Sequence, residues 1–155
     1  MDQKVLTNVK VIEIQDSISQ ENLLTKMGSL AVEAGWAKPG YIQALLERES
    51  KYATGLHADG MDVAIPHADP EWTNEPGMVV ALLDHAVDFE PMGGVGDVVK
   101  ANFVFMLVIP DAEAHIEFLS AFSTFIEDKS HLETLAKTRD IDWFLGYLKT
   151  AMMAN

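Results

Sequence analysis

The run Val63-Ala64-Ile65-Pro66-His67 closes an apolar, strand-like segment with a proline and sets an imidazole immediately beyond it. A central strand cannot continue through Pro66, which has no N–H for the ladder, so His67 is expected at a strand end on the rim of a sheet. Imidazole is the side chain that can be both a neutral nucleophile and a proton carrier near pH 7. A second histidine, His115, follows Pro110-Asp111-Ala112-Glu113-Ala114 and falls in the first turn of a helix predicted to leave the most apolar strand of the chain. Helix starts carry a partial positive charge and unpaired N–H groups, which attract anions. Arginine occurs at positions 48 and 139 alone, and Arg48 lies on a predicted helix.

Two imidazoles at two strand ends, with a guanidinium in reach, make a set suited to phosphoryl transfer. One ring nitrogen attacks phosphorus while the other keeps its proton, and the remaining groups stabilise three charged oxygens. His67 is the candidate nucleophile, with His115 and Arg48 supporting it. Each residue also has an ordinary reading: a histidine beside apolar neighbours is usually structural or exposed, and Arg48 between Glu47 and Glu49 is usually solvated or ion-paired. Metal-assisted hydrolysis with His67, Asp69 and His115 as ligands is a reading from another class, although a His-x-Asp spacing discriminates little. The other histidines differ in context. His57 and His131 stand in polar surroundings and are expected to face solvent, and His85 is expected in a turn after Leu82-Leu83-Asp84.

The elements that must position these residues can be traced by period. Val9 to Ile14 reads as a short strand. From Gln20 to Ala34 apolar residues recur at three and four, with Ser17 or Ser19 as a cap and Gly35 as a stop, which predicts a helix. A second helix opens at Pro39-Gly40 and runs to about Lys51, with Ile42, Leu45 and Leu46 as its buried stripe. Strands follow at about Val63–Ile65 and Met78–Leu83, and a glycine-rich stretch from Met92 to Gly96 leads to Ala101–Ile109. That last segment is apolar on both faces, the mark of a central strand covered on two sides. The next helix carries Ile116, Phe118, Leu119, Phe122, Phe125 and Ile126, a shorter one Leu132 and Leu135, and the last, capped by Asp140, buries Ile141, Phe144, Leu145, Leu148 and Met152. The expected fold class is α/β, a mixed β-sheet flanked by helices.

Composition narrows the function. With 155 residues and 48% apolar content the chain is expected to form one domain, 1–155, with a sizeable core. The absence of cysteine removes disulfides, thiolate zinc sites and thiol nucleophiles, and suits a reducing cytoplasm. The N-terminus lacks a basic region followed by an apolar one, and no stretch is long enough to span a bilayer. Eleven basic residues against 24 acidic ones give a formal charge of -13, which disfavours nucleic acid and anionic lipid and favours basic partners.

Leu46-Glu47-Arg48-Glu49, Thr54-Gly55-Leu56 and Val63-Ala64-Ile65-Pro66-His67 together resemble the fructose/mannitol class of enzyme IIA from the bacterial sugar phosphotransferase system. The likeness continues through Val87-Asp88-Phe89, the strand ending Phe105 to Pro110, and His115-Ile116-Glu117-Phe118-Leu119. Arg48-Glu49-Ser50, Thr54-Gly55-Leu56 and Ile65-Pro66-His67-Ala68-Asp69 look most like the galactitol-type branch, with Ala68 where many members carry glycine. The resemblance implies a phosphohistidine at Nε2 of His67, with His115 beside it and Arg48 near the anion. It also implies HPr as donor, a cognate IIB as acceptor, a membrane IIC beyond it, and no metal or organic cofactor. A regulatory module of the same fold, phosphorylated but acting by protein binding, is the alternative. A donor of that kind asks for an apolar ring around the histidine, for which Met61, Trp72, Met78 and Met92 are candidates if exposed.

Overall fold

The computed structural model describes residues 4–58 and 61–153. Its centre is a five-stranded sheet in the order β1-β4-β5-β3-β2, built from β1 (Val9–Ile14), β2 (Gly55–Leu56), β3 (Val63–Ala64), β4 (Gly77–Phe89) and β5 (Val99–Val108). The sheet is mixed. β1 runs parallel to β4 and β3 parallel to β5, while β4 pairs antiparallel with β5 and β2 with β3.

Period-two alternation on the middle strands explains the layers. Met78, Val80 and Leu82 of β4 and Phe103, Phe105 and Leu107 of β5 point to one face, where α3 (Ala112–Glu127), α4 (Lys129–Thr138) and α5 (Ile141–Met153) cover them. Val79, Ala81, Val104, Met106 and Val108 point to the other, covered by α1 (Gln20–Glu33) and α2 (Tyr41–Lys51). β5 is therefore the doubly covered strand its composition predicts. The expected caps are present, Ser19 Oγ accepting from Asn22 N–H and Asp140 from Trp143 N–H, and α3 has a further one in Asp111, which accepts from Glu113 N–H.

Several local expectations are corrected. The buried stripe of α2 is Tyr41, Leu45 and Glu49, with Ile42 and Leu46 only partly covered. His85 lies within β4, at a bulge between Leu82 and Val87 where Asp84, His85 and Ala86 turn to solvent. His131 is not solvent-facing: its ring stacks on Phe125 and meets Trp143 and Tyr147, and its Nδ1–H donates to Phe125 C=O. Ile116, expected in the core, is 69% exposed.

β2 has two residues and sits at the sheet edge, and a close approach anchors it. Gly55 N–H donates to Glu90 C=O at 3.1 Å, and a Cβ on Gly55 would stand 2.6 Å from that oxygen and 2.8 Å from Val99 Cγ2. Val99 is held in β5 and Glu90 directly follows the last residue of β4, so neither moves aside easily. Gly55→Ala is expected to destabilise the fold by about 1–3 kcal/mol, seen as a lower denaturant midpoint at unchanged slope.

Candidate functional site

Pro66 shapes the site by what it lacks. The β3–β5 ladder stops at Ala64 and resumes as an isolated bridge between His67 and Leu107, with Leu107 N–H donating to Pro66 C=O at 3.0 Å. Tyr41, fully buried on α2, braces the same rung by donating its hydroxyl to Leu107 C=O at 2.8 Å. The backbone of His67 is therefore fixed although it lies beyond the continuous strand. Its ring turns back so that Nδ1 lies 2.9 Å from Ile65 C=O. A carbonyl oxygen only accepts, so Nδ1 carries the proton and Nε2 of the neutral ring keeps its lone pair.

His115 arrives from the other side, on the first turn of α3, which leaves β5 at the same rim. The two imidazoles meet edge to face, with centroids 4.4 Å apart and planes at 74°. Arg48 reaches the same cleft from the last turn of α2. Its Nε donates to Asp69 Oδ1 at 3.1 Å, and its guanidinium lies over the Tyr52 ring at 5.3 Å. The cleft encloses about 310 Å³ and is bounded by Arg48, His67 and His115 together with Tyr52, Thr54, Met92 and Leu119.

The three predicted site residues are thus brought together, with two changes to the expected setting. Asp111 caps α3, so the N-terminus of that helix already holds a carboxylate. Asp69 is engaged by Arg48, and among the described residues no three His, Asp or Glu side chains are grouped to hold a metal ion, so the hydrolase reading loses its third ligand. Of the proposed apolar ring, Met78 is in the core, Met61 and Trp72 are half-buried against it, and Met92 is 45% exposed at the cleft. Tyr52, 65% exposed, is a further apolar group at the cleft that the sequence does not single out, and Ile116, next to His115 in the chain, is exposed as well. Tyr41, Glu49 and Thr54 were also missed. One signal existed in the spacing of Tyr41, Leu45 and Glu49, which places a carboxylate on the buried stripe of a helix.

Burial sets the charge of both rings. It pushes the His67 pKa down from 6.5 to about 4, assisted by His115 and Arg48 and opposed by the Ile65 carbonyl and Asp69. Burial, then Arg48, lowers His115 as well. At neutral pH both imidazoles are uncharged. The unfolded chain takes up its His67 proton near 6.5 and the folded chain only near 4, so between these values the unfolded state holds more protons. The stability due to a neutral His67 is fully present above about 6.5 and is lost as pH falls through this window. A proton NMR titration of the His67 ring is expected to show its midpoint near 4; a midpoint at 6.5 would mean the ring is solvated.

A lone pair fixed on one ring nitrogen, a second neutral imidazole and a guanidinium form a site able to take an anionic group on Nε2, which is the chemistry of a phosphoryl-carrying α/β protein. Residues 5–151 match the family model described as "Phosphoenolpyruvate-dependent sugar phosphotransferase system, EIIA 2". The chain belongs to that family and is a phosphotransferase component. It is 31% identical over 127 residues to the PTS system fructose-specific EIIA component of Haloferax volcanii, covering 79% of this chain and 78% of that one. It is 26% identical over 151 residues to the mannitol-specific phosphotransferase enzyme IIA component of Halalkalibacterium halodurans, covering 96% and 97%. Among solved structures it resembles enzyme IIAMTL of Escherichia coli in complex with phosphorylated enzyme IIBMTL, with a TM-score of 0.70, 25% identity and coverage of 92% and 94%. The mixed sheet with flanking helices is thus the fold of the mannitol enzyme IIA. Among the described residues no helix is long and apolar enough to cross a membrane.

Proposed function

We propose that this chain, acting as one domain, carries a phosphoryl group on Nε2 of His67, taking it from phospho-HPr and passing it to a cognate IIB unit that serves a membrane IIC. The observation that carries this reading is the hydrogen bond from His67 Nδ1 to Ile65 C=O, which leaves Nε2 free. In the forward step the Nε2 lone pair attacks phosphorus, an N–P bond forms, and the N–P bond to the donor histidine breaks with its electron pair returning to the donor ring. No proton need move on this side, because Nδ1 is already protonated and held. Asp69 engages Arg48 through Nε, so the terminal nitrogens of the guanidinium can turn to the phosphoryl oxygens while His115 donates from the opposite wall. The formal charge of -13 favours basic partners by steering, an effect that weakens with salt.

For the sugar, we read the Ile65-Pro66-His67-Ala68-Asp69 segment as favouring a polyol of the galactitol type, within a family whose relatives above are named for fructose and mannitol. The test is transfer of label from phosphoenolpyruvate through enzyme I and HPr to this protein, followed by discharge to galactitol, mannitol and fructose IIB units. Acid-labile, alkali-stable label that discharges to one IIB supports the carrier and selects its sugar. No label with charged HPr present overturns it. Label that no IIB removes would favour the regulatory alternative, in which phosphorylation controls protein binding.

A further inference from the structure

Glu49 is the charged side chain that the phosphoryl chemistry leaves unexplained. It is 6% exposed, on the stripe it shares with Tyr41 and Leu45, where an apolar residue would pack without cost. Burial raises its pKa, while hydrogen bonds from Thr54 and the charge of Arg48 oppose that rise. Its two oxygens are used separately and on one residue: Oε2 accepts Thr54 N–H at 2.9 Å and Oε1 accepts Thr54 Oγ1–H at 2.7 Å. Thr54 is itself buried at the wall of the cleft. Its carbonyl accepts Ile65 N–H at 3.2 Å, and the carbonyl of Ile65 accepts the His67 Nδ1 proton at 2.9 Å.

We infer that Glu49 is a positioning residue for His67, acting through Thr54 and Ile65 to keep the ring in the tautomer whose lone pair is on Nε2. The inference rests on the reading of His67 as the phosphoryl acceptor. Ile65 lies just past β3, whose outer neighbour is the two-residue β2, and so short a pairing holds poorly by itself. The carboxylate clamps the residue before β2 at both its N–H and its hydroxyl, and so fixes the carbonyl to which Ile65 is tied. Adjacent positions at the end of α2 then divide the task. Arg48 faces the cleft and Glu49 faces inward, so a single helical turn sets the guanidinium and the orientation of the ring.

The experiment compares Glu49→Gln, Glu49→Ala and Glu49→Asp by two-bond proton–nitrogen NMR of the His67 ring and by the rate of uptake from phospho-HPr. Glutamine can keep both contacts, its carbonyl accepting Thr54 N–H and its amide donating to a rotated Thr54 hydroxyl, so it is expected to retain the wild-type ring signature and rate. Alanine removes the clamp and aspartate is a methylene too short. Both are expected to give a mixture of ring tautomers and uptake slowed by about tenfold, with the KM for phospho-HPr unchanged. Aspartate serves where alanine prevents folding. A folded alanine or aspartate variant with the wild-type ring signature would overturn the inference, and so would a glutamine variant whose tautomers mix. The ring signature is read without any phosphoryl donor. A wild type that takes no label therefore refutes the carrier reading, whereas the tautomer mixture in the variants by itself decides whether Glu49 positions the ring.

Discussion

His67→Ala is expected to take up no phosphoryl group from charged HPr under conditions where the wild type is labelled to one group per chain. The loss follows from the inventory around the cleft. No cysteine exists, Arg48 is permanently charged, and the ring that holds its proton on a backbone carbonyl and its lone pair toward the cleft is His67. Label retained by the variant would mean that His115, 4.4 Å away between centroids, serves as the acceptor. The variant also separates catalysis from folding. It lacks the imidazole held near 4, so it should lose less stability than the wild type as pH falls below 6.5, and a loss of the same size would deny that His67 is buried neutral.

The second large effect is expected at His115. Its ring stands edge-on to His67, and burial and Arg48 keep it neutral, so it can act as a hydrogen-bond donor to an oxygen that gains charge during transfer. Removing one such donor typically lowers a rate by about 10²–10³. His115→Ala should therefore fill to the wild-type stoichiometry at a rate reduced by that factor, measured by rapid quench against phospho-HPr. A rate within twofold of wild type would reduce His115 to a packing neighbour.

Much of this arrangement is legible in the sequence because it depends on local period and punctuation. The helix from Gln20 follows from apolar spacing and its cap, that from Ala112 from apolar spacing, and β5 from a run with no polar face. The position of His67 follows from Pro66 alone. What escapes is set by contacts distant in sequence. β2 is too short to show any alternation and exists because β3 and Glu90 lie beside it. β4 runs on past Leu83 through a polar bulge because β5 continues to pair with Val87, Asp88 and Phe89. His131 reads as a surface residue until α5 brings Trp143 and Tyr147 against it. Ile116 fits the apolar pattern of α3 yet faces outward, beside the histidine that precedes it. A glutamate on a helix is by default solvated, and the burial of Glu49 becomes intelligible only once Thr54 is seen to occupy both its oxygens.

The partner of His67 Nδ1 is a peptide carbonyl rather than a carboxylate. On the proposed reading, phosphorylation of Nε2 would make the ring a cation, and a carbonyl dipole compensates that charge less fully than an anion would. The imidazole then remains a good leaving group, so the group arrives without being trapped and can depart in either direction. Because the acceptor belongs to the main chain, no exchange of side chain at Ile65 removes it. The transfer potential of the carrier is thereby written into its backbone and is shielded from most substitutions that drift would bring.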